Sequence, residues 1–191
     1  TKGNTKAVLT VEKVGKVDLP APDIFFGNDK MEVTDTDIYK SDQAFTQGQM
    51  ITVTGIDNLN EWWIDPDFFE KQSDGALKFL PINGDYRVTA NAVLKYFSVM
   101  ALKDGKPAKL QDDGTGAIWA IGKGIGKPSV TSSEVGWEPS KALCLAQVAS
   151  KKYQLTLKAG ETLKTSGDPE VISFKFFHQN DWGGEFGNYA S

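Results

Sequence analysis

Short apolar segments separated by turn-forming residues run through most of the chain, and they leave little room for helices. Residues 85–90 alternate in polarity, residues 95–102 are mostly apolar, and Gly27-Asn28-Asp29 and Asp104-Gly105 are typical of turns. A period of two indicates strands, and Gly beside Asn or Asp adopts the positive φ of tight turns. The pattern predicts strands at 24–26, 31–33, 49–54, 62–64, 77–82, 85–90 and 95–102, and later at 117–121, 143–148, 152–157 and 172–177. Without sustained 3.6-residue periodicity, we expect an all-β fold of the sandwich type, with one helical turn at most at 65–72.

Length and charge favour two domains over one. The chain has 191 residues, and domains cluster near ~100–150 residues. Residues 18–106 carry fifteen acidic and eight basic side chains, whereas 107–191 carry nine of each. We therefore expect two immunoglobulin-like β-sandwich domains, at 18–106 and 107–191. Within the remaining segment, 1–17, the apolar residues 7–14 predict a strand that either is left over from a preceding repeat or completes the second sheet.

Several function classes are excluded by composition. The net charge is −4 and no Lys/Arg-rich run occurs, so a nucleic-acid partner is not expected. No apolar stretch approaches the ~18 residues of a membrane span. His178 is the only histidine, and Cys144 is the only cysteine and lies among apolar residues. The apolar neighbours of Cys144 favour a buried structural thiol. With a single histidine we expect no metal site, and we expect no cofactor.

A glycine-containing loop with two aromatic residues follows the last predicted strand. Alternation predicts that Phe174 and Phe176 point into the core, and the chain then carries Trp182 and Phe186 between glycines. Sugar rings stack on flat aromatic faces while their hydroxyls form hydrogen bonds. The loop is therefore a candidate sugar site. The alternative is that its aromatic rings only cover the end of the β-core.

Three further features bear on a site. Trp137 lies between Gly136 and Glu138-Pro139, so it is either a ligand platform or an anchor for its loop. Trp62 and Trp63 are adjacent, so in a strand one of the two rings must point outward. That ring either forms a second candidate platform or packs at an interface between the domains. The glycines of 122–128 do not match a phosphate-binding loop, and we expect a flexible loop that lines the sugar site.

A series of short motifs runs through the second half of the sequence. They are Trp119-Ala120-Ile121-Gly122, Gly136-Trp137, Tyr153-Gln154-Leu155-Thr156-Leu157, Lys158-Ala159-Gly160, Phe174-Lys175-Phe176 and Asp181-Trp182-Gly183-Gly184. In this order the motifs resemble the carbohydrate-binding domains of the SusE/SusF-like outer-membrane lipoproteins of Bacteroidetes. The resemblance covers about 112–189, and the first half is similar, more loosely, to a preceding domain of such proteins. The family's closing hairpin after the aromatic loop is missing from this pattern.

The resemblance implies a carbohydrate-binding-module-like domain whose platform is Trp137 and Trp182. It also implies that Lys175 bonds sugar hydroxyls, supported by polar and aromatic neighbours. Those neighbours are Asn180, Asp181, Glu185 and Phe186.

The function expected on this basis is non-catalytic binding of a polysaccharide or oligosaccharide at the cell surface. The partners would be a glycan and an outer-membrane glycan import complex, with a lipid anchor in the precursor. A hydrolytic pair formed by Asp181 and Glu185 is disfavoured, because two small sandwiches offer open faces and not a deep cleft. The alternative is an adhesion or scaffold module that uses its exposed aromatics as a protein interface.

Overall fold

The structure, a computed structural model, describes residues 21–186, and nearly all of its regular elements are β-strands. In the first half these are β1 (Phe25–Phe26), β2 (Asp29–Lys30), β3 (Glu32–Asp35), β4 (Ile38–Phe45), β5 (Met50–Ile51), β6 (Val53–Thr54), β7 (Phe69–Lys71), β8 (Leu77–Phe79), β9 (Gly84–Asn91), β10 (Tyr96–Lys103) and β11 (Lys106–Pro107). A short 3-10 helix, Leu59–Glu61, precedes β7. The predicted all-β fold with two sandwich domains is confirmed, while the exact domain boundaries stay a prediction. The strand predicted at 7–14 lies outside the described residues.

The first domain packs one large antiparallel sheet against two small ones. The large sheet has the order β11-β10-β9-β4-β3, and the small sheets have the orders β2-β1-β6 and β5-β8-β7. Aromatic rings fill the space between them. Phe26 of β1 lies 6.1 Å from Phe45 of β4 and 5.3 Å from Phe97 of β10, measured between ring centroids. Ring-to-ring packing therefore joins all the sheets of this domain.

The strand β4 lies inside the large sheet, between β9 and β3, although the sequence pattern did not predict it. It pairs with β9 over eight residues, from Ile38↔Asn91 to Phe45↔Gly84. Its inward side includes Ser41 and Gln43 between Tyr39 and Phe45, which hides the apolar alternation. The Gln43 amide donates to the Phe26 carbonyl oxygen at 2.9 Å, so the polar side chain is satisfied inside the sandwich. The stretch 65–72 contains a single turn, closed by the Phe69 amide that donates to the Asp65 carbonyl oxygen at 2.9 Å, and it then contributes the strand β7.

The second domain is organised around one glycine-rich strand. Its elements are β12 (Trp119–Gly126), α1 (Val130–Ser133), β13 (Glu134–Gly136), a 3-10 helix (Pro139–Lys141), β14 (Leu143–Cys144), β15 (Ala146–Ala149), β16 (Lys152–Gln154) and β17 (Ser173–Phe177). Gly122 pairs with Gly136 of β13 and with Phe174 of β17, so these two strands lie on opposite edges of β12.

The prediction of a flexible loop at 122–128 is wrong, because its glycines are part of β12. A Cβ atom at Gly122 would lie 2.3 Å from the Phe174 Cα, and one at Gly126 would lie 2.3 Å from the Ser133 carbonyl oxygen. The glycines are needed because neighbouring backbone passes where a side chain would stand. The segment is a buried strand and does not line an open site.

The assignment of Phe176 to the core is also wrong, whereas Phe174 packs against the core from a half-buried position. Phe177 is 1% exposed and pairs with the fully buried Trp119, whereas Phe176 is 38% exposed and Phe174 is half-buried. Alternation along β17 was predicted correctly, but the register with β12 turns the Phe177 side toward the core.

The two domains share one continuous apolar core and are joined by hydrogen bonds. The Gln47 side-chain amide donates to the Val148 carbonyl oxygen at 3.0 Å. The Ile82 amide donates to the Gln147 carbonyl oxygen at 2.8 Å. The position of the second domain's strands is therefore set against the first domain.

Candidate functional site

Trp137 and Trp182 come together although 44 residues separate them in the chain. Trp137 directly follows β13, and Trp182 lies in the loop after β17, so the two edges of β12 carry them. Their ring centroids are 6.3 Å apart and the ring planes differ by 26°. The two residues are 38% and 49% exposed. Together they form a nearly parallel indole pair on the surface of the second domain.

Local contacts hold Trp182 in place. Its ring meets the buried Phe177 ring edge-on, with centroids 6.0 Å apart at 82°. Its amide donates to the Asp181 carboxylate at 2.7 Å, and its carbonyl oxygen accepts from the Gln179 amide at 2.6 Å. The loop around the indole is thus anchored at side chain and backbone.

The chain turns back on β17 after the aromatic loop. The His178 amide donates to the Gly184 carbonyl oxygen at 2.7 Å, and the Phe186 amide donates to the Phe176 carbonyl oxygen at 2.9 Å. Gly183 and Gly184 have φ of +83° and +64°, which a side chain would strain. The loop is therefore the tip of a hairpin, whose return the sequence pattern did not reveal.

An ion pair joins β17 to the returning strand of the hairpin. Lys175 Nζ lies 2.8 Å from Glu185 Oε2. Glu185 pairs directly with Phe177, and Lys175 is two residues from Phe177, so all three side chains point to the same side of the strand. The two polar residues predicted for the site therefore lie beside the ring that Trp182 contacts.

Asn180 and Phe186 fit the predicted set less well. The Asn180 side-chain oxygen is buried and has no hydrogen-bond partner among the described residues. Phe186 is exposed, but its ring packs edge-on against His178, with centroids 4.1 Å apart. It thus lies on the side of β17 opposite to Lys175 and Glu185. Of the predicted residues, the structure pairs Trp137 with Trp182 and Lys175 with Glu185, and Asp181 lies at the base of Trp182.

The second candidate platform is reduced to one ring. The prediction of a strand at 62–64 is wrong, since this segment follows the 3-10 helix and makes only a single bridge, Trp63↔Tyr96. Trp62 is 7% exposed and stacks on Phe97 with centroids 4.6 Å apart, so it is unavailable to a ligand. Trp63 is half-buried beside the second domain.

A buried ionic network at the domain junction was not predicted. Lys127 Nζ lies 2.8 Å from an oxygen of Asp65 and 2.8 Å from an oxygen of Asp67. Asp67 also accepts hydrogen bonds from the Thr156 amide at 2.7 Å and the Gln154 amide at 2.9 Å. The network ties a loop of the first domain to two segments of the second. No local sequence signal links residues about sixty positions apart.

The two carboxyl groups of this network have opposite pKa shifts. Burial raises the pKa of Asp65 and outweighs the nearby Lys127 charge. Burial acts on Asp67 in the same sense, but the Lys127 charge and the hydrogen bonds from Lys127 and Thr156 outweigh it and lower the pKa. The number of donors at each carboxylate explains the difference.

The described residues offer no cluster for a metal ion. Within 21–186 there is no group of three or more His, Cys, Asp or Glu side chains that could hold one. Cys144 is buried as predicted, and burial raises its thiol pKa to about 12, so the thiol stays protonated near neutral pH. In the same part of the chain, no helix has the length and apolar character needed to cross a membrane.

Two family models match the chain, one in each half. Residues 11–110 match a family described as "Domain of unknown function (DUF5125)", which spans just over half of the chain. Residues 113–190 match a second family, "Domain of unknown function (DUF5121)". A search of curated proteins and a search of solved structures each gave no match.

Proposed function

We propose that this chain, which belongs to the family of the domain of unknown function DUF5125 and carries an adjacent DUF5121 domain, binds glycans without catalysis. The observation that carries the proposal is the exposed pair of Trp137 and Trp182, with centroids 6.3 Å apart. Two tryptophans on different loops converge on one surface, where they are not needed to fill a core.

The chemistry of the surface suits a sugar. The C–H face of a pyranose ring is apolar and packs on an indole, while its hydroxyl groups donate and accept hydrogen bonds. The Lys175–Glu185 pair supplies a donor and an acceptor on the same side of β17. Both charged side chains are partly exposed, so sugar hydroxyls can replace water around them at little cost.

The anchored loop limits the entropy lost on binding. The contacts of Trp182 with Phe177, Asp181 and Gln179 hold its ring before a ligand arrives. A preorganised side chain loses less freedom on binding, although an open platform still gives modest affinity. We therefore expect a site for capture and not for tight retention.

The sequence resemblance to SusE/SusF-like lipoproteins supports a role at the outer surface of the cell. In this proposal the chain is lipid-anchored in its precursor and presents captured glycan to an outer-membrane import complex. The paired domain matches are compatible with tandem binding modules.

The test is the affinity of variants for hexasaccharides of glucose, xylose and mannose by calorimetry, after retention screening on polysaccharide gels. We expect Trp182→Ala and Trp137→Ala to weaken binding at least about tenfold, which corresponds to ~1.4 kcal/mol. Phe176→Ala is the matched control, because Phe176 is 38% exposed, like Trp137, but points to the other side of β17. Equal affinity of the two tryptophan variants and the wild type would refute the site.

An adhesion or scaffold module is the second candidate. It is favoured by a separate apolar area that includes Ile172 and Phe176, which are 44% and 38% exposed. It would replace glycan binding if no glycan in a broad array bound and if Phe176→Ala, unlike Trp182→Ala, abolished association with a protein partner.

A further inference from the structure

A cleft with one apolar and one polar wall lies between the two domains. Trp63, Ile64 and Pro66 of the first domain form the apolar wall, and Lys158 and Glu161 belong to the polar wall of the second. Its volume is about 250 Å³. This is slightly under the ~300 Å³ at which pockets for drug-sized ligands begin, so the cleft has room for a small ring.

The Trp63 ring is held in position before any ligand binds. Its backbone amide donates to the Lys95 carbonyl oxygen at 2.8 Å. Its ring meets the Tyr96 ring edge-on with centroids 5.5 Å apart, and Lys127 Nζ lies 5.9 Å from the ring centroid. Lys127 is itself bound by two aspartates, so it cannot move away. The indole is thus a rigid, half-open surface.

The opposite wall is a turn with its own hydrogen bonds. The Lys158 amide donates to the Thr162 hydroxyl oxygen at 2.7 Å, and the Thr162 amide donates to the Lys158 carbonyl oxygen at 3.0 Å. At its surface, Lys158 Nζ lies 2.6 Å from Glu161 Oε2. This pair is solvent-accessible and balanced in charge, so it offers donors and acceptors without selecting a charged ligand.

The buried ionic network fixes the distance between the two walls. Thr156 lines the cleft, and its amide and hydroxyl donate to Asp67 at 2.7 and 2.6 Å. Asp67 is one residue beyond Pro66 of the apolar wall. The cleft is therefore held open by contacts between the domains and does not depend on either domain alone.

We propose that this cleft is a second glycan subsite, which takes one neutral sugar ring with its C–H face on Trp63 and its hydroxyls toward Lys158 and Glu161. The proposal rests on the proposed function for the ligand class only, because its residues are separate from the indole pair. A chain with two subsites would retain a polysaccharide more strongly than either subsite does, through effective concentration.

The test follows the five indole N–H resonances of the ¹⁵N-labelled chain while maltohexaose, xylohexaose and mannohexaose are added. Single Trp→Phe variants assign the signals, and the buried Trp62 and Trp119 are internal controls. We expect Trp63 to shift with saturation in wild type and equally in a Trp137→Ala/Trp182→Ala variant. Lys158→Ala/Glu161→Gln should weaken the Trp63 response at least fivefold. Lys78→Ala/Glu70→Gln, which removes an exposed ion pair of the first domain, should leave it unchanged.

The outcomes separate the two sites. If Trp137 and Trp182 respond and Trp63 does not, the second subsite is refuted while the proposed function stands. The same conclusion follows if the Trp63 shift disappears in the Trp137→Ala/Trp182→Ala variant, because the shift is then indirect. If Trp63 alone responds, the indole pair is refuted and the cleft stands. If no hexasaccharide shifts any indole, both are refuted.

Discussion

The two domains use their aromatic residues differently. In the first domain Phe26, Phe45, Phe79 and Phe97 are essentially inaccessible and contact one another between the sheets. The second domain buries Trp119 and Phe177, but it leaves four large rings at the surface, which are Trp137, Phe176, Trp182 and Phe186. The first domain therefore fills its core with a cluster of rings, whereas the second keeps several of its rings exposed.

Glycine and alanine explain how the second domain holds together with fewer rings inside. Along β12, Ala120 and Ile121 are fully buried, and Gly122 lets β17 approach without an intervening side chain. Close backbone packing replaces part of the side-chain burial of the first domain. Aromatic rings on the flanking loops are then available for ligands, while the first domain supports them through the shared core.

The largest expected effect comes from removing a ring of the first domain's core. Phe97 contacts Phe26 and stacks on Trp62, so Phe97→Ala leaves a cavity that rigid neighbours cannot fill. We expect the free energy of unfolding to fall by about 3–5 kcal/mol. Urea denaturation followed by circular dichroism measures it. A loss below about 1 kcal/mol would contradict the contrast, because the rings of the first domain would then contribute no more than exposed ones.

A smaller effect is expected at the junction that connects the two regions. Asp67→Asn leaves Lys127 with one carboxylate partner and weakens the hydrogen bonds from Gln154 and Thr156. Breaking a buried pair costs about 3–5 kcal/mol, and we expect the low end because the asparagine oxygen still accepts. The pKa of Asp67 in the folded wild type lies below its ordinary value of 3.8, so the ionised carboxylate stabilises the fold at pH values above 3.8. This contribution is lost as the pH falls through the folded-state pKa.

The matched variant is Asp65→Asn. Burial raises the pKa of Asp65, so its ionised form is a cost to the fold that increases as pH rises from 3.8 through the folded value. Neutralising it should therefore reduce stability less than Asp67→Asn does, when both are compared by urea denaturation between pH 3 and pH 7. Equal losses of unfolding free energy would contradict this expectation and show that the two carboxylates stabilise the junction equally.

Local patterns predicted much of this architecture because the relevant signals were local. The hairpin of β9 and β10 was predicted within one residue at each strand end, since Asn83-Gly84 and Asp104-Gly105 mark its two ends in the sequence. β4 was missed because Ser41 and Gln43 face inward. The strand at 117–121 was predicted, but the rest of β12, 122–126, was predicted as a loop because its glycines serve close packing. Register was the other limit, and it moved the core side of β17 from Phe176 to Phe177.

The candidate pair of tryptophans was predicted as a pair only through the family resemblance. Loop positions beside glycines marked Trp137 and Trp182 one by one, whereas their proximity in the structure depends on β12 having one neighbour on each edge. The link between Lys127 and the two aspartates depends on how the domains meet, and pattern reasoning along the chain does not contain that information. The Trp63 cleft depends on the same meeting of domains.

The smallest expected effect on stability closes the comparison, because it concerns a ring of the exposed set. Trp137→Ala removes as large a side chain as any in the core, but its ring is partly solvated and its main aromatic contact is Trp182. Loss of such a pair amounts to about 0.5–1.5 kcal/mol, and we expect a change in unfolding free energy near 1 kcal/mol in the same urea assay. If the loss instead matched that of Phe97→Ala, Trp137 would be an anchor of its loop, and weaker glycan binding by this variant would reflect a disturbed fold. A small loss of unfolding free energy combined with a tenfold loss of glycan affinity would show that Trp137 contributes to binding and not to folding. This is the expected contrast with the buried rings of the first domain.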